Sequence, residues 1–199
     1  MEVKVLREAG YEEALLGLSL SFYDHREDIA TWWNGDKKLR AVRRASALAF
    51  KGGGHNKFLE SIQVWIYIKA ARCFWSEFDT YRVGITKNSS STMHTLDKRE
   101  VTIDDFEIGT SLQSIEAFNK CLIDYKNVES IYYKDITRLK NNLPESWLQE
   151  RQVSVNYMTL QNILRQRDGH RLYYWDTFRE SVLEQVEHPE LLLKEINND

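Results

Sequence analysis

Between Ser61 and Lys69 the chain alternates without a break. Ile62, Val64, Ile66 and Ile68 fall on one side, and Gln63, Trp65, Tyr67 and Lys69 on the other. Side chains repeat every two residues only in a β-strand, so this run predicts a strand with one buried face. Its neighbours are set by that strand. Gly52-Gly53-Gly54 breaks the chain ahead of it, His55 to Glu60 reads as a helical turn, and Ala70 to Phe78 reads as a helix leaving it. The three glycines resemble a phosphate loop, but no Gly-Lys-Ser/Thr follows, so that reading fails. From Asp79 to Leu96 the apolar period stops. TYRVGITKNSSSTMHTL reads as a loop carrying Arg82, Lys87 and a run of Ser and Thr. Its hydroxyls and backbone N–H groups could hold phosphate oxygens, and structureless loops of this length are uncommon in compact domains.

Upstream, Val3 and Val5 alternate with Lys4 and Leu6 as a short strand ending at Gly10. Tyr11 to Phe22 reads as a helix with Ala14, Leu15, Leu18 and Phe22 on one face, and Ser19 and Ser21 as tolerated helix residues. After His25 and the pair Trp32–Trp33, Asp36 is the expected cap of a helix running to Phe50. That helix buries Ala41, Ala45, Leu48 and Ala49 and carries Lys37, Lys38, Arg40, Arg43 and Arg44. Such a cluster is either a solvated face or a phosphate contact.

Downstream, Leu112 to Tyr133 is a long helix with Ile115, Phe118, Leu122 and Tyr125 at helical spacing, continued from Tyr133 to Lys140. Pro144 fixes a turn. Glu150 to Tyr157 alternates as a second strand, Thr159 to Arg167 and His170 to Val186 read as helices, and Pro189 starts a last turn. No repeat or linker divides the chain, so one domain over residues 1–199 is expected. The class is α+β, with a small mixed or antiparallel sheet packed by several helices.

The 199 residues are 42% hydrophobic, enough for a sizeable core. The 6 Trp, 10 Tyr and 8 Phe suit that core or flat ligand surfaces. A formal charge of -3 gives no global drive toward nucleic acid or an anionic membrane. Cys73 and Cys121 have no metal-ligand spacing and imply no disulfide framework, which points to a reducing cytoplasm and no metal site. Neither a signal peptide nor a membrane-spanning apolar run is expected.

Two segments together resemble the flavin-dependent thymidylate synthases, the ThyX family. There, a Gly-His…Glu turn leads into a strand, a helix and the signature Arg-His-Arg-x-x-Ser-x-x-Glu-x-Ser-x-Arg-Tyr. Gly54-His55, Glu60, the strand Ile62–Lys69 and the helix Ala70–Phe78 follow that order, and the signature falls on Thr80 to Met93. Nearer the C-terminus, Lys140, Leu143-Pro144, Asn156, Asn162, Leu164 and Arg167 match a second family pattern. The departures lie in the chemistry. Signature positions read Thr80, Tyr81, Ile85, Asn88, Thr92 and Met93, an expected arginine is Met158, and Leu172 to Trp175 replace Ala-Gln-x-Glu; Arg82 and Ser90 keep their identities.

The resemblance implies a ThyX-like fold, a homotetramer, and FAD as cofactor, with NADPH and methylene-tetrahydrofolate as co-substrates in methylating a pyrimidine nucleotide, dUMP. By carry-over, His55, Arg82, Asn156 and Asn162 would face the flavin, and Ser90, Lys140, Arg167 and Arg171 the nucleotide. Three readings stay open: a divergent enzyme with a changed substrate or one-carbon product, a homologue that has lost its chemistry and persists as a nucleotide-binding or structural oligomer, and, ranked third, nucleic-acid binding through the Lys37–Arg44 helix.

Overall fold

The computed structural model describes residues 1–127 and 135–194. The elements run β1 (Glu2–Ala9), α1 (Tyr11–Ser19), α2 (Ile29–Trp32), α3 (Gly35–Leu48), β2 (Gln63–Ala71), α4 (Arg72–Phe78), β3 (Ile85–Ser89), α5 (Thr92–Thr95), α6 (Leu112–Asn127), α7 (Ile136–Asn142), β4 (Leu148–Asn156), α8 (Tyr157–Gln166) and α9 (Tyr174–Gln185). The class is α+β, as expected. The strands form one sheet in the order β1-β2-β4-β3. Its pairing is antiparallel. The Tyr157 amide donates to the Ile62 carbonyl at 2.9 Å, and the Arg72 amide donates to the Trp147 carbonyl at 3.2 Å. Likewise Asn156 donates to Gly84 at 3.1 Å and Ser90 to Glu150 at 2.9 Å.

The alternation in β2 is realised side by side. Ile62, Val64, Ile66, Ile68 and Ala70 are 0% exposed, while Gln63, Trp65, Tyr67 and Lys69 are half-buried. Each buried Ile or Val contributes about 1.5–3 kcal/mol over leaving it in water. On β4, Val153 and Val155 are buried in the same alternating manner.

Contacts group the described residues into two compact units. One contains Met1–Glu2, Ile68–Thr80 and the described residues of Asn88–Gln152; the other contains Val3–Tyr67, Tyr81–Lys87 and the described residues from Val153 onward. In the first, α6 packs on α7 and gathers Leu96, Val101, Phe106, Ile115, Phe118, Leu122, Leu139 and Leu143 into a core, with Cys121 and Tyr125 against it. Both cysteines are free. Arg151 grips Asp79 at 2.8 Å and lies 4.3 Å from the Trp75 ring centroid. Asp105 caps its own turn through the Thr102 amide and pairs with Arg99 at 2.5 Å. The Arg99 guanidinium, with the Thr102 amide, holds the Asp105 carboxyl below the usual carboxylate range against the opposing effect of burial.

In the other unit, α1 packs on α3 and on the 3₁₀ turn Lys57–Ser61, which also meets α8. Ala41, Ala45 and Ala49 of the α3 stripe are buried, as their spacing predicts. Several expectations need correcting. Phe22 is 64% exposed rather than part of the α1 face, because the helix tightens into a 3₁₀ turn over Leu20–Phe22 and rotates the ring outward. Asn34, not Asp36, caps α3. Its extended backbone lets Oδ1 accept from the Lys37 amide at 3.3 Å, whereas Asp36 is already in the first turn. The His170–Val186 helix begins only at Tyr174. The stretch Asp79–Leu96 is no plain loop, since Ile85–Ser89 pairs as strand β3. The helix expected to reach Tyr133, and the start of the next one, fall on residues 128–134, outside the described residues.

Two consequences can be measured. Gly10 has φ +91°, and a Cβ there would meet the Ser61 carbonyl oxygen at 2.3 Å, a backbone atom that cannot swing away. Gly10→Ala should cost more than about 2 kcal/mol in urea unfolding. Gly53→Ala, also at positive φ but facing open space, should cost only about 1 kcal/mol. Because the folded Asp105 carboxyl is depressed, its contribution is complete above the unfolded carboxylate range and is lost as pH falls through the folded value. Stability should therefore decline below about pH 4, and Asp105→Asn should flatten that acid limb in pH-dependent denaturation.

Candidate functional site

The carry-over residues divide between the two units. Within the second unit, Arg167 ends α8, and the segment Tyr81–Lys87 enters β3. They meet through Tyr81. The Arg167 Nε donates to the Tyr81 hydroxyl at 2.9 Å, and that hydroxyl donates to Gln166 Oε1 at 3.1 Å. The guanidinium lies 4.4 Å from the Trp175 ring centroid and 5.5 Å from that of Tyr81, within cation–π range of both. His170 Nε2 is 3.1 Å from Arg167 Nη1, while the Leu172 amide points at His170 Nδ1 at 3.2 Å. A neutral imidazole accepts at one nitrogen only, so Arg167 and the Leu172 amide compete for its lone pair.

The segment ahead of β3 is clamped to the start of α8. Thr159 Oγ1 donates to the Val83 carbonyl at 2.9 Å, and Lys87 Nζ donates to the Tyr81 carbonyl at 2.9 Å. Gly84, at φ +67°, is required here, because a Cβ would lie 2.5 Å from both Asn156 Nδ2 and Thr159 Oγ1. Asn156 is the cap of α8, its Oδ1 accepting from the Thr159 amide at 2.8 Å. Asn162 is half-buried and accepts from Arg165 and Gln166 of its own helix at 3.3 and 3.2 Å. Arg82 and Arg171 are exposed and make no ion pair or hydrogen bond among the described residues. His55 stands apart from these, exposed on a cleft of about 840 Å³ between α1, α3 and the Lys57–Ser61 turn, with Arg44, Phe58 and Glu60 also on its walls.

In the first unit, the Ser90 amide is used in the sheet and its carbonyl accepts from Gln149 Nε2 at 3.1 Å, while its hydroxyl makes no hydrogen bond among the described residues. Lys140 Nζ is exposed, 3.7 Å from Met93 Sδ. Tyr81, His170 and Trp175 are the residues sequence reasoning passed over. Tyr81 counts there only as a loss of the signature histidine, yet its phenol is the group that orients Arg167. An aromatic hydroxyl at that place, with His and Trp just beyond Arg167, was the available signal.

No protein-family model and no curated protein matches the chain. Solved structures do. The crystal structure of thymidylate synthase X (ThyX) from Helicobacter pylori with FAD and dUMP aligns with a TM-score of 0.73 over 98% of this chain and 98% of that one, at 15% identity. A second crystal structure of flavin-dependent ThyX from Helicobacter pylori, complexed with FAD and dUMP, gives 0.73 over 96% and 98%, at 16% identity. The fold is ThyX-like. The likeness spans the chain from end to end, so the ThyX-like architecture includes the segments around His55, Arg82, Asn156 and Arg167. No helix among the described residues is long and apolar enough to cross a membrane.

A flavin needs a slot for its ring and donors for its polar edge. The cleft beside His55 has the volume of small-molecule sites, about 300–1,000 Å³. Asn156 keeps its Nδ2 donors after capping α8, and Arg82 keeps its whole guanidinium. Each of these fits a part of such a group, the cleft its ring and Asn156 and Arg82 its polar edge, with His55 set apart from the other two. Asn162 fits less well, since its carbonyl oxygen is already shared by two donors.

The geometry gives a direct test of how Arg167 is held. Tyr81→Phe keeps the ring but deletes the hydroxyl shared by Arg167 and Gln166. It should cost about 1 kcal/mol of stability in denaturant unfolding, the net worth of a partly buried hydrogen bond.

Proposed function

We propose that this chain is a divergent flavin-dependent enzyme of the thymidylate-synthase type, transferring a one-carbon unit to a pyrimidine nucleotide such as dUMP. The observation that carries this is Arg167. A ThyX-like chain has kept this arginine and holds its guanidinium in the corner formed by the Trp175 and Tyr81 rings, with its Nε on the Tyr81 hydroxyl. A planar guanidinium held in one orientation suits the paired acceptors of a pyrimidine ring, and loses less entropy on binding than a free one.

In this reading Arg167 binds the base, and Ser90, Lys140 and Arg171 hold the nucleotide phosphate by hydroxyl and charge. His55, Arg82, Asn156 and Asn162 hold the flavin. FAD supplies the hydride chemistry, with NADPH and methylene-tetrahydrofolate as co-substrates, in a cytoplasmic homotetramer. The chain's own part is binding, orientation and stabilising negative charge on the ring.

One observation favours a second reading, a homologue that has lost catalysis and binds nucleotide or serves as a structural oligomer. The hydroxyl of Tyr81, where the family pattern has histidine, occupies a donor of Arg167 that a nucleotide would use. The experiment that separates them begins with the visible spectrum of purified protein with added FAD, followed by calorimetric titration with dUMP. The first reading expects retained flavin and dUMP binding that Arg167→Ala weakens by about ten-fold or more. Colourless protein that takes up no FAD overturns it and leaves the second. Unchanged dUMP affinity in Arg167→Ala removes the nucleotide role of Arg167 from both.

A further inference from the structure

The helix α3 carries Lys37, Arg40 and Arg44 at spacings of three and four, so all three project from one face. They line a single small pocket of about 130 Å³, together with Ser19, Phe22 and Trp32. No acidic side chain lines it, although the chain as a whole has a formal charge of -3. None of the three cations forms an ion pair among the described residues. Two of them rest on aromatic rings. Lys37 Nζ lies 4.8 Å from the Trp32 ring centroid, and the Arg44 guanidinium 4.0 Å from that of Phe22. Contact with a π-face fixes a cation's position while leaving its N–H donors unspent.

The wall opposite supplies a second, independent sign. Ser19 is 4% exposed, and its hydroxyl is buried with no hydrogen-bond partner. A buried hydroxyl without a partner costs free energy that an acceptor entering the pocket would recover. Three unspent cations and one unspent hydroxyl around a space of this size suit one tetrahedral anion. Phe22 and Arg44 also belong to the wall of the 840 Å³ cleft that His55 lines, so the pocket opens beside a larger, partly apolar space.

We propose that Ser19, Lys37, Arg40 and Arg44 bind the phosphoryl group of a phosphate ester whose flat or apolar body lies along Phe22 in the adjoining cleft. The phosphoryl contacts do not rest on the pyrimidine reading, but the ester body would occupy the cleft beside His55 that the flavin reading also uses, and Arg44 lines both spaces. Ser19 argues against a nucleic-acid backbone, because its hydroxyl is buried rather than exposed along an open track.

The test uses the full chain with inorganic phosphate and with phenyl phosphate, followed by isothermal calorimetry and by Trp fluorescence, since Trp32 lines the pocket. Both probes are expected to bind, and Arg40→Ala and Ser19→Ala should each weaken them, by about ten-fold and several-fold respectively. Arg40 is exposed and Ser19→Ala nearly conserves volume, so both variants should fold; Lys4→Ala, an exposed cation on β1, should change nothing. Tighter binding of phenyl phosphate assigns the pocket to an ester, and equal binding assigns it to free phosphate. The proposal is overturned if neither probe binds at millimolar concentration, or if both variants bind like the parent. It also fails if Arg167→Ala abolishes binding, or if a single-stranded oligonucleotide binds more tightly than phenyl phosphate.

Discussion

The structure depends on one constraint: the apolar face of β2 has to be covered completely. Ile62, Val64, Ile66, Ile68 and Ala70 have no exposure at all, and a shift of one residue would turn all five into water. Both ends of the strand are therefore pinned. The Ile62 carbonyl takes the Tyr157 amide, and the Arg72 amide finds the Trp147 carbonyl. The first of these bonds fixes where β4 gives way to α8. Asn156 is then the last strand residue and the first helical cap, and Arg167 lies at the other end of the same short helix. The position of the candidate nucleotide arginine thus follows from the register of a strand two elements away from it in the site's architecture, through the Ile62–Tyr157 bond.

What was legible in the sequence is what burial writes there. The period of two in β2 and β4, and the helical periods of α3 and α6, correspond to faces that are buried. Strand β3 was not legible for the same reason. Its burial alternates only between exposed and half-buried, and it pairs through backbone bonds such as Ser90 to Glu150. An edge strand with one apolar residue, Ile85, followed by Thr, Lys, Asn and Ser satisfies the sheet without an apolar side, and polar edges of this kind discourage pairing with other chains. Asn34 and Asn156 show the complementary case. Both are good caps by residue type, but which residue of a polar run takes the cap depends on where the backbone leaves the extended region, and that is decided by packing further along the helix.

The candidate site was legible as a scaffold and less so as chemistry. Its order of elements matched the ThyX pattern, and the fold bears that out. The identity of Arg167's partners was not readable, because they come from a segment 86 positions earlier and from the turn and the helix that follow α8. Tyr81, read in the sequence only as a departure from the signature histidine, is in three dimensions a hydrogen-bond partner and a ring beside the guanidinium.

That contact separates two ways in which this chain anchors its cations. Arg99 and Arg179 face Asp105 and Asp168, and their charge is neutralised at short range, as is that of Arg151, which has both Asp79 and the Trp75 ring. Lys37 and Arg44 rest on Trp32 and Phe22 instead. A carboxylate both orients a cation and satisfies it, whereas a ring orients it and leaves the charge and most donors available. Surface carboxylate pairs add little stability, so the first arrangement mainly positions loops such as the Thr102–Asp105 turn. The second keeps positive charge in place and open to an anion. On that physical distinction, a ring alone leaves Lys37 and Arg44 their charge, whereas Arg151, on a ring and a carboxylate together, has its charge met inside the chain.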